Sequence, residues 1–153
     1  MLFTNYKYNP RPAVPDVRLY CLIQRTTELV STQYQINSQH RDHNPNKSQW
    51  IISCEEELSV FAGSVNESIV IDGQYMWGIY IPGMIPEALG VTRFGDESKL
   101  AIFDNGKHNG FWHGYPADYI RNQEIPSGEV FDLWRKNGFI KKADINKIIK
   151  GQW

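Results

Sequence analysis

The four histidines are the residues of this chain best suited to chemistry, and they come as two pairs. His40 and His43 lie in a polar stretch, whereas His108 and His113 lie in the segment 98–119, which is dense in aromatic residues and glycine. An imidazole titrates near neutral pH, so it serves as a general acid, a general base or a metal ligand. The segment 98–119 is therefore the first place to look for a site.

An acid–base site is the sharper interpretation of the second pair. His113 follows a tryptophan and precedes a glycine on a predicted strand, so its solvation is limited and a ligand can approach closely. With His108 it would form the proton-transferring pair of a metal-independent enzyme acting on RNA or nucleotides. Lys107 or Arg121 would then stabilise the transition state. The plainer interpretation, which the sequence favours, is that His113 is a half-buried strand residue hydrogen-bonded to a carbonyl.

Other chemistries lack a motif. The histidine spacings are poor for a metal, HExxH does not occur, and Cys21 and Cys54 are too far apart for a metal knuckle. The sequence also lacks the G-x-S-x-G nucleophile motif and both glycine-rich nucleotide-binding motifs. We therefore expect no metal, no cofactor, and two reduced, buried thiols.

Composition restricts the partners and the location. The formal net charge of −1 gives no overall attraction to nucleic acid or to an anionic membrane. The N-terminus has no apolar signal-peptide core, and no apolar run approaches the roughly 18 residues of a membrane span. From the sequence we expect a bacterial cytoplasmic protein that does not bind membranes.

The elements that must position these residues are mostly strands. Three prolines within residues 1–15 predict an extended arm, followed by a single domain over residues 16–153. Ser53 and Glu56 form a capping-box pattern that starts a helix, and Gly63 is its predicted end. The predicted strands cover residues 17–24, 27–36, 50–53, 68–71, 75–81, 89–93, 100–103 and 111–115, with a polar loop at 37–48, a turn at 72–73 and a hairpin loop at 104–110.

The C-terminal region changes to helical patterning. Ser127 is a predicted N-cap for a helix that Gly138 ends, and a last helix covers residues 142–150. Together these elements predict an α+β fold, with a mostly antiparallel sheet, one intervening helix and a C-terminal helical pair.

The helical pair is basic but departs from a DNA-reading motif. A helix-turn-helix needs a small residue where its helices cross, and the corresponding position here is Trp134. Nucleic-acid contact therefore remains a lesser alternative, because a basic face can follow phosphates without that motif. The lysines concerned are Lys141, Lys142, Lys147 and Lys150.

The leading functional expectation is a small inhibitor that binds another protein, similar in role to an immunity protein or antitoxin that neutralises a toxin by covering its surface. The reason is that the chain lacks a complete catalytic motif, yet is rich in tryptophan and tyrosine and has segregated charge. The candidate partner-binding residues are Trp112, His113, Tyr115 and Tyr119 of the hairpin region, with Glu55 and Glu56 on an alternative acidic face.

Overall fold

The computed structural model describes residues 3–8, 17–25, 28–67, 75–105 and 111–153, and their side chains over residues 34–64, 75–105 and 112–153. The fold is α+β, as the sequence predicts. The strands are β1 (Phe3–Tyr8), β2 (Val17–Arg25), β3 (Glu28–Ile36), β4 (Gln49–Trp50), β5 (Tyr75–Ile79), β6 (Gly90–Val91), β7 (Glu97–Ser98), β8 (Leu100–Asp104) and β9 (Phe111–Pro116). The helices are α1 (Cys54–Glu67), α2 (Gly128–Lys136) and α3 (Lys142–Ile149), with one 3-10 turn over Ser38–His40.

Six strands form the main sheet, in the order β1-β2-β3-β9-β8-β5. Neighbouring strands run antiparallel except β3 and β9, which pair in parallel through Gln33 with Phe111 and Tyr34 with Trp112. Two antiparallel units thus meet at one parallel seam. A second, smaller sheet has three strands in the order β4-β6-β7.

Both faces of β8 are covered, and its side chains divide between two core clusters because successive side chains of a strand point to opposite faces. Along β8, Ala101 and Phe103 join a core cluster with α1, whereas Leu100 and Ile102 join a second cluster with α2 and α3. Two buried residues from the helices, Phe61 and Trp134, are members of the first and the second cluster respectively.

The predicted boundaries are close to the observed ones, with informative differences. The capping box at the start of α1 is confirmed: the Ser53 backbone N–H donates to Glu56 Oε1 and the Glu56 N–H donates to Ser53 Oγ, each at 3.1 Å. The predicted end at Gly63 is wrong, since α1 continues to Glu67. Within the predicted N-terminal arm, Phe3–Tyr8 pairs with β2 as a strand of the sheet. The predicted strand at 68–71 and turn at 72–73 lie outside the described residues.

Among the described residues, no helix is both long enough and apolar enough to cross a membrane.

Gly114 is required by the packing of Phe103, which pairs with it across β8 and β9. A β-carbon built on Gly114 would collide with the Phe103 ring, and one on Gly78 would lie 2.8 Å from the same ring. The ring therefore occupies space left by two glycines on neighbouring strands.

We expect Gly114→Ala to lower the free energy of unfolding by about 1–3 kcal/mol, because an overpacked core must shift its side chains or backbone. Urea denaturation would measure the loss. Gly83→Ala is the matched control, because a β-carbon there has nothing within 4 Å. Equal stability of the two variants would show that Phe103 moves without cost.

Candidate functional site

The parallel seam explains how two distant histidines come together. β3 and β9 run in the same direction, so their carboxyl ends lie at the same edge of the sheet. His113 lies on β9, while His40 ends the 3-10 turn that directly follows β3. Both side chains line one polar cavity of about 450 Å³. The remaining lining residues are Asn37, Gln39, Asn46, Lys47, Ser48, Arg93, Tyr115, Asp118, Asn122 and Glu124.

His40 is held firmly in the wall of this cavity. Its side chain is buried, its ring stacks on Tyr115 with centroids 5.2 Å apart, and its Nδ1 lies 2.8 Å from the Ser48 carbonyl oxygen. A carbonyl oxygen only accepts, so the ring proton of neutral His40 is assigned to Nδ1. This assignment leaves the Nε2 lone pair available to accept a proton.

Burial keeps His40 neutral. Removal from water lowers its pKa below the ordinary value of 6.5, and the electrostatic effects of the neighbouring Lys47 and His113 lower it further. The Ser48 carbonyl and Asp42 oppose this shift with smaller effect than burial. A neutral imidazole at physiological pH has the protonation state of a general base.

His113 shares the sheet face of Tyr115, because alternate residues of a strand point the same way. Its Nδ1 is buried and has no hydrogen-bond partner within the described part of the chain. The expectation that the ring bonds a carbonyl is therefore not met at this nitrogen. A buried polar atom without a partner is unusual, and such atoms occur where a ligand or a catalytic role supplies the reason.

Two cationic side chains contribute to the same cavity. Lys47 comes from the loop after the 3-10 turn and Arg93 from the turn after β6, and both residues are exposed. Within the described residues, Arg93 forms no ion pair. The lining thus contains two imidazoles, two cations and the carboxylates of Asp118 and Glu124, and its imidazoles and cations are groups that bind a phosphate.

A polar turn after β9 also lines the cavity. The Asp118 N–H donates to Glu124 Oε1 at 3.0 Å, and Asp118 Oδ1 accepts from the Arg121 N–H at 3.0 Å. Tyr115 is hydrogen-bonded to Glu124, and burial together with that negative charge raises the pKa of Tyr115 above its usual range. The phenol therefore stays protonated and provides a stable stacking surface for His40.

The loop that carries His40 is anchored to α1 by a buried ion pair. Arg41 Nη2 and Nε donate to Glu57 Oε1 at 2.7 and 3.1 Å, and the carboxylate side chain is fully buried. The Tyr34 hydroxyl donates to the other oxygen at 2.6 Å, and Arg41 Nη1 donates to the Ile52 carbonyl at 2.9 Å. No local motif in the sequence indicates this pairing, because Arg41 and Glu57 are 16 positions apart.

The other predicted site residues are dispersed. Trp112 is half-buried against the α1 cluster, and Tyr119 is buried, with its hydroxyl donating to the Trp153 carbonyl at 3.0 Å. Glu55 is exposed, whereas Glu56 takes part in the capping box and accepts from the Tyr80 hydroxyl. His43 is exposed and does not line the cavity. His108 and Lys107 lie outside the described residues.

A second cavity is an apolar groove of about 520 Å³ between α1, β5 and α2. Glu56 is the only charged residue in its lining, and no histidine, lysine or arginine of the described residues reaches it. The groove contains Trp77, whose buried Nε1 has no partner within the described residues. Its lining among the described residues lacks the paired imidazoles of the His40 cavity, and its titratable pair is the Tyr80 hydroxyl hydrogen-bonded to Glu56.

The described residues contain no cluster of three or more histidine, cysteine or acidic side chains arranged to hold a metal ion. Cys54 is a free, half-buried thiol at the start of α1, and burial raises its pKa.

Comparison of the chain with family models, with curated proteins and with solved structures finds no match.

Proposed function

We propose that this protein cleaves RNA without a metal, using His40 and His113 as a general base and a general acid. One observation carries the proposal: the two histidines, 73 positions apart in sequence, line a single polar cavity together with Lys47 and Arg93. General acid–base cleavage needs two proton-transferring groups and cations near the phosphate, and this cavity contains both.

The state of His40 assigns the roles. His40 is neutral with its ring proton on Nδ1, so its Nε2 takes the proton of a ribose 2′-hydroxyl while that oxygen attacks the adjacent phosphorus, and His113 is left as the acid. His113 gives a proton to the 5′-oxygen as the bond from phosphorus to that oxygen breaks. The products are a 2′,3′-cyclic phosphate and a 5′-hydroxyl, and Lys47 and Arg93 stabilise the extra negative charge in the transition state.

The 2′-hydroxyl is the nucleophile in this scheme, which gives a direct test. Purified protein in excess EDTA is incubated with an RNA hexamer, with the same hexamer carrying 2′-O-methyl groups, and with its DNA counterpart. We expect cleavage of the RNA alone, with cyclic phosphate ends identified by mass spectrometry. Intact RNA after long incubation, or equal cleavage of DNA, would rule out the proposal.

A second candidate is the protein-binding inhibitor expected from the sequence, an immunity-like or antitoxin-like protein of the cytoplasm. It is favoured by the exposed apolar pair Met84 and Ile85, which are 97% and 67% exposed in the segment between β5 and β6. Adjacent exposed apolar side chains are typical of partner surfaces. The exposed lysines Lys141, Lys142, Lys147 and Lys150 leave a nucleic-acid partner as a lesser alternative within this proposal.

A photo-crosslinking residue at position 84 tests the inhibitor proposal in cells, with position 123 as an exposed polar control. We expect position 84 alone to capture one protein. That protein, once purified, should bind the wild-type chain and lose affinity for a Met84→Ser, Ile85→Ser variant. Equal binding of both chains would exclude this surface.

A further inference from the structure

We infer that Phe94, with Arg93 and Arg121, forms a subsite next to the His40 cavity for a further nucleotide, beyond the two that flank the scissile bond, so that the substrate is a single-stranded oligonucleotide. This inference rests on the proposed RNA-cleaving function. It adds that binding extends beyond the two nucleotides joined by the scissile phosphate.

The subsite is continuous with the cavity through one residue. Arg93 lines the cavity, and its guanidinium carbon also lies 4.6 Å from the centroid of the Phe94 ring. The Arg121 guanidinium carbon lies 5.2 Å from the same centroid. An aromatic ring and planar guanidinium groups are the surfaces on which proteins stack unpaired bases, and the same arginines contact phosphates.

The Phe94 ring is exposed, and the turn that carries it is held by hydrogen bonds. Phe94 is 49% exposed, although burying a phenylalanine side chain is worth about 1.5–3 kcal/mol. Its turn is fixed by bonds from the Thr92 N–H to the Asp96 carbonyl at 2.8 Å, from the Gly95 N–H to the Thr92 carbonyl at 2.9 Å, and from the Phe94 N–H to Thr92 Oγ1 at 3.2 Å. An exposed ring on a fixed turn loses little conformational freedom when a base stacks on it.

Arg121 is positioned by the same turn. Its Nε donates to Asp96 Oδ2 at 2.9 Å, which orients the guanidinium toward Phe94 and offsets part of its charge. Arg93 has no such carboxylate within the described residues, so its positive charge, between the cavity and the Phe94 ring, is less compensated than that of Arg121. Stacking on a base is worth about 1–3 kcal/mol, which predicts a clear gain for a longer substrate.

Two measurements test the subsite. In the first, kcat/KM on an RNA dinucleotide and on an RNA hexamer is measured for the wild type, for Phe94→Ala and for Ile51→Ala, where Ile51 is another exposed apolar residue outside the cavity lining. We expect Phe94→Ala to lower kcat/KM on the hexamer about tenfold or more, as loss of one stacking contact implies, and to leave kcat/KM on the dinucleotide unchanged. Ile51→Ala should match the wild type on both substrates.

The second measurement does not depend on catalysis. Fluorescence anisotropy with an uncleavable 2′-O-methyl RNA hexamer should give about tenfold weaker binding for Phe94→Ala than for the wild type. If this difference occurs but wild-type protein cleaves no RNA, the subsite stands and the proposed cleavage fails. Equal hexamer affinity of Phe94→Ala and wild type, or an equal loss on dinucleotide and hexamer, would overturn the subsite.

Discussion

Replacement of His113 or His40 by alanine is expected to reduce RNA cleavage by about 10²–10⁴-fold, the usual contribution of a positioned acid or base. The double variant should be little slower than either single variant, because both residues act in one step. Initial rates on an RNA hexamer would measure the loss, and circular dichroism would verify that the fold persists.

His43→Asn is the matched control for this experiment. His43 lies three residues beyond His40 on the same loop, is exposed, and has a positive φ of 62° that asparagine tolerates. Its rate should equal that of the wild type. If the cleavage rate of His43→Asn falls as far as that of His40→Ala, the reaction depends on the loop as a whole and not on the His40 imidazole.

The pH dependence provides an independent readout of the same pair. A general base must be unprotonated, so cleavage falls as pH drops through the pKa of His40, which burial places below 6.5. On the acid side, the cleavage rate should therefore fall only below pH 6.5. This acid limb of the pH profile should disappear in a His40→Ala background. An acid limb that persists without His40 would assign the base to another residue.

Removal of Arg41 is expected to lower the free energy of unfolding by about 3–5 kcal/mol, because it leaves the Glu57 carboxylate buried without its counter-charge. Glu57 is fully buried and already has its pKa raised by that burial, an effect that the Arg41 charge opposes. Urea denaturation of Arg41→Ala would measure the loss. The exposed Arg135→Ala variant is the control, with a change of about 0.5 kcal/mol or less.

The sign of the pH effect distinguishes this mechanism from simple loss of packing. Without Arg41, the folded-state pKa of Glu57 rises further above its unfolded value, so the folded state binds the extra proton. The stability deficit of the variant should then be largest at neutral pH and shrink as pH falls toward 4.5, the ordinary value for glutamate. A deficit that does not change with pH would mean that the lost contacts of Arg41, not the unpaired charge, dominate.

Much of the fold follows from local sequence patterns. Runs of β-forming residues bounded by turn residues identified β2, β5, β8 and β9, alternation identified β3, and the Ser53–Glu56 capping box identified the start of α1, since these signals act between residues close in sequence. Gly63 failed as a helix end because tertiary packing on α1 outweighs the modest cost of a glycine inside a helix.

The candidate site follows only in part from such patterns. His113 and the polar loop containing His40 are both evident in the sequence, but their pairing depends on which strand lies beside which. Strand order is a long-range property, and the expected partner of His113 was instead its near neighbour His108. The pairing of Arg41 with Glu57 was missed for the same reason, since the two residues are joined by folding and not by a motif.

The parallel seam between β3 and β9 also determines when the cavity can exist. Every antiparallel pair within the two units of the main sheet joins strands near in sequence, whereas the seam joins residues 33–34 to residues 111–112. Closing such a long loop is slow compared with forming hairpins. A chain emerging from the ribosome therefore has no cavity until β9 has been made and has docked. The proposed activity is therefore absent from every nascent chain that ends before β9.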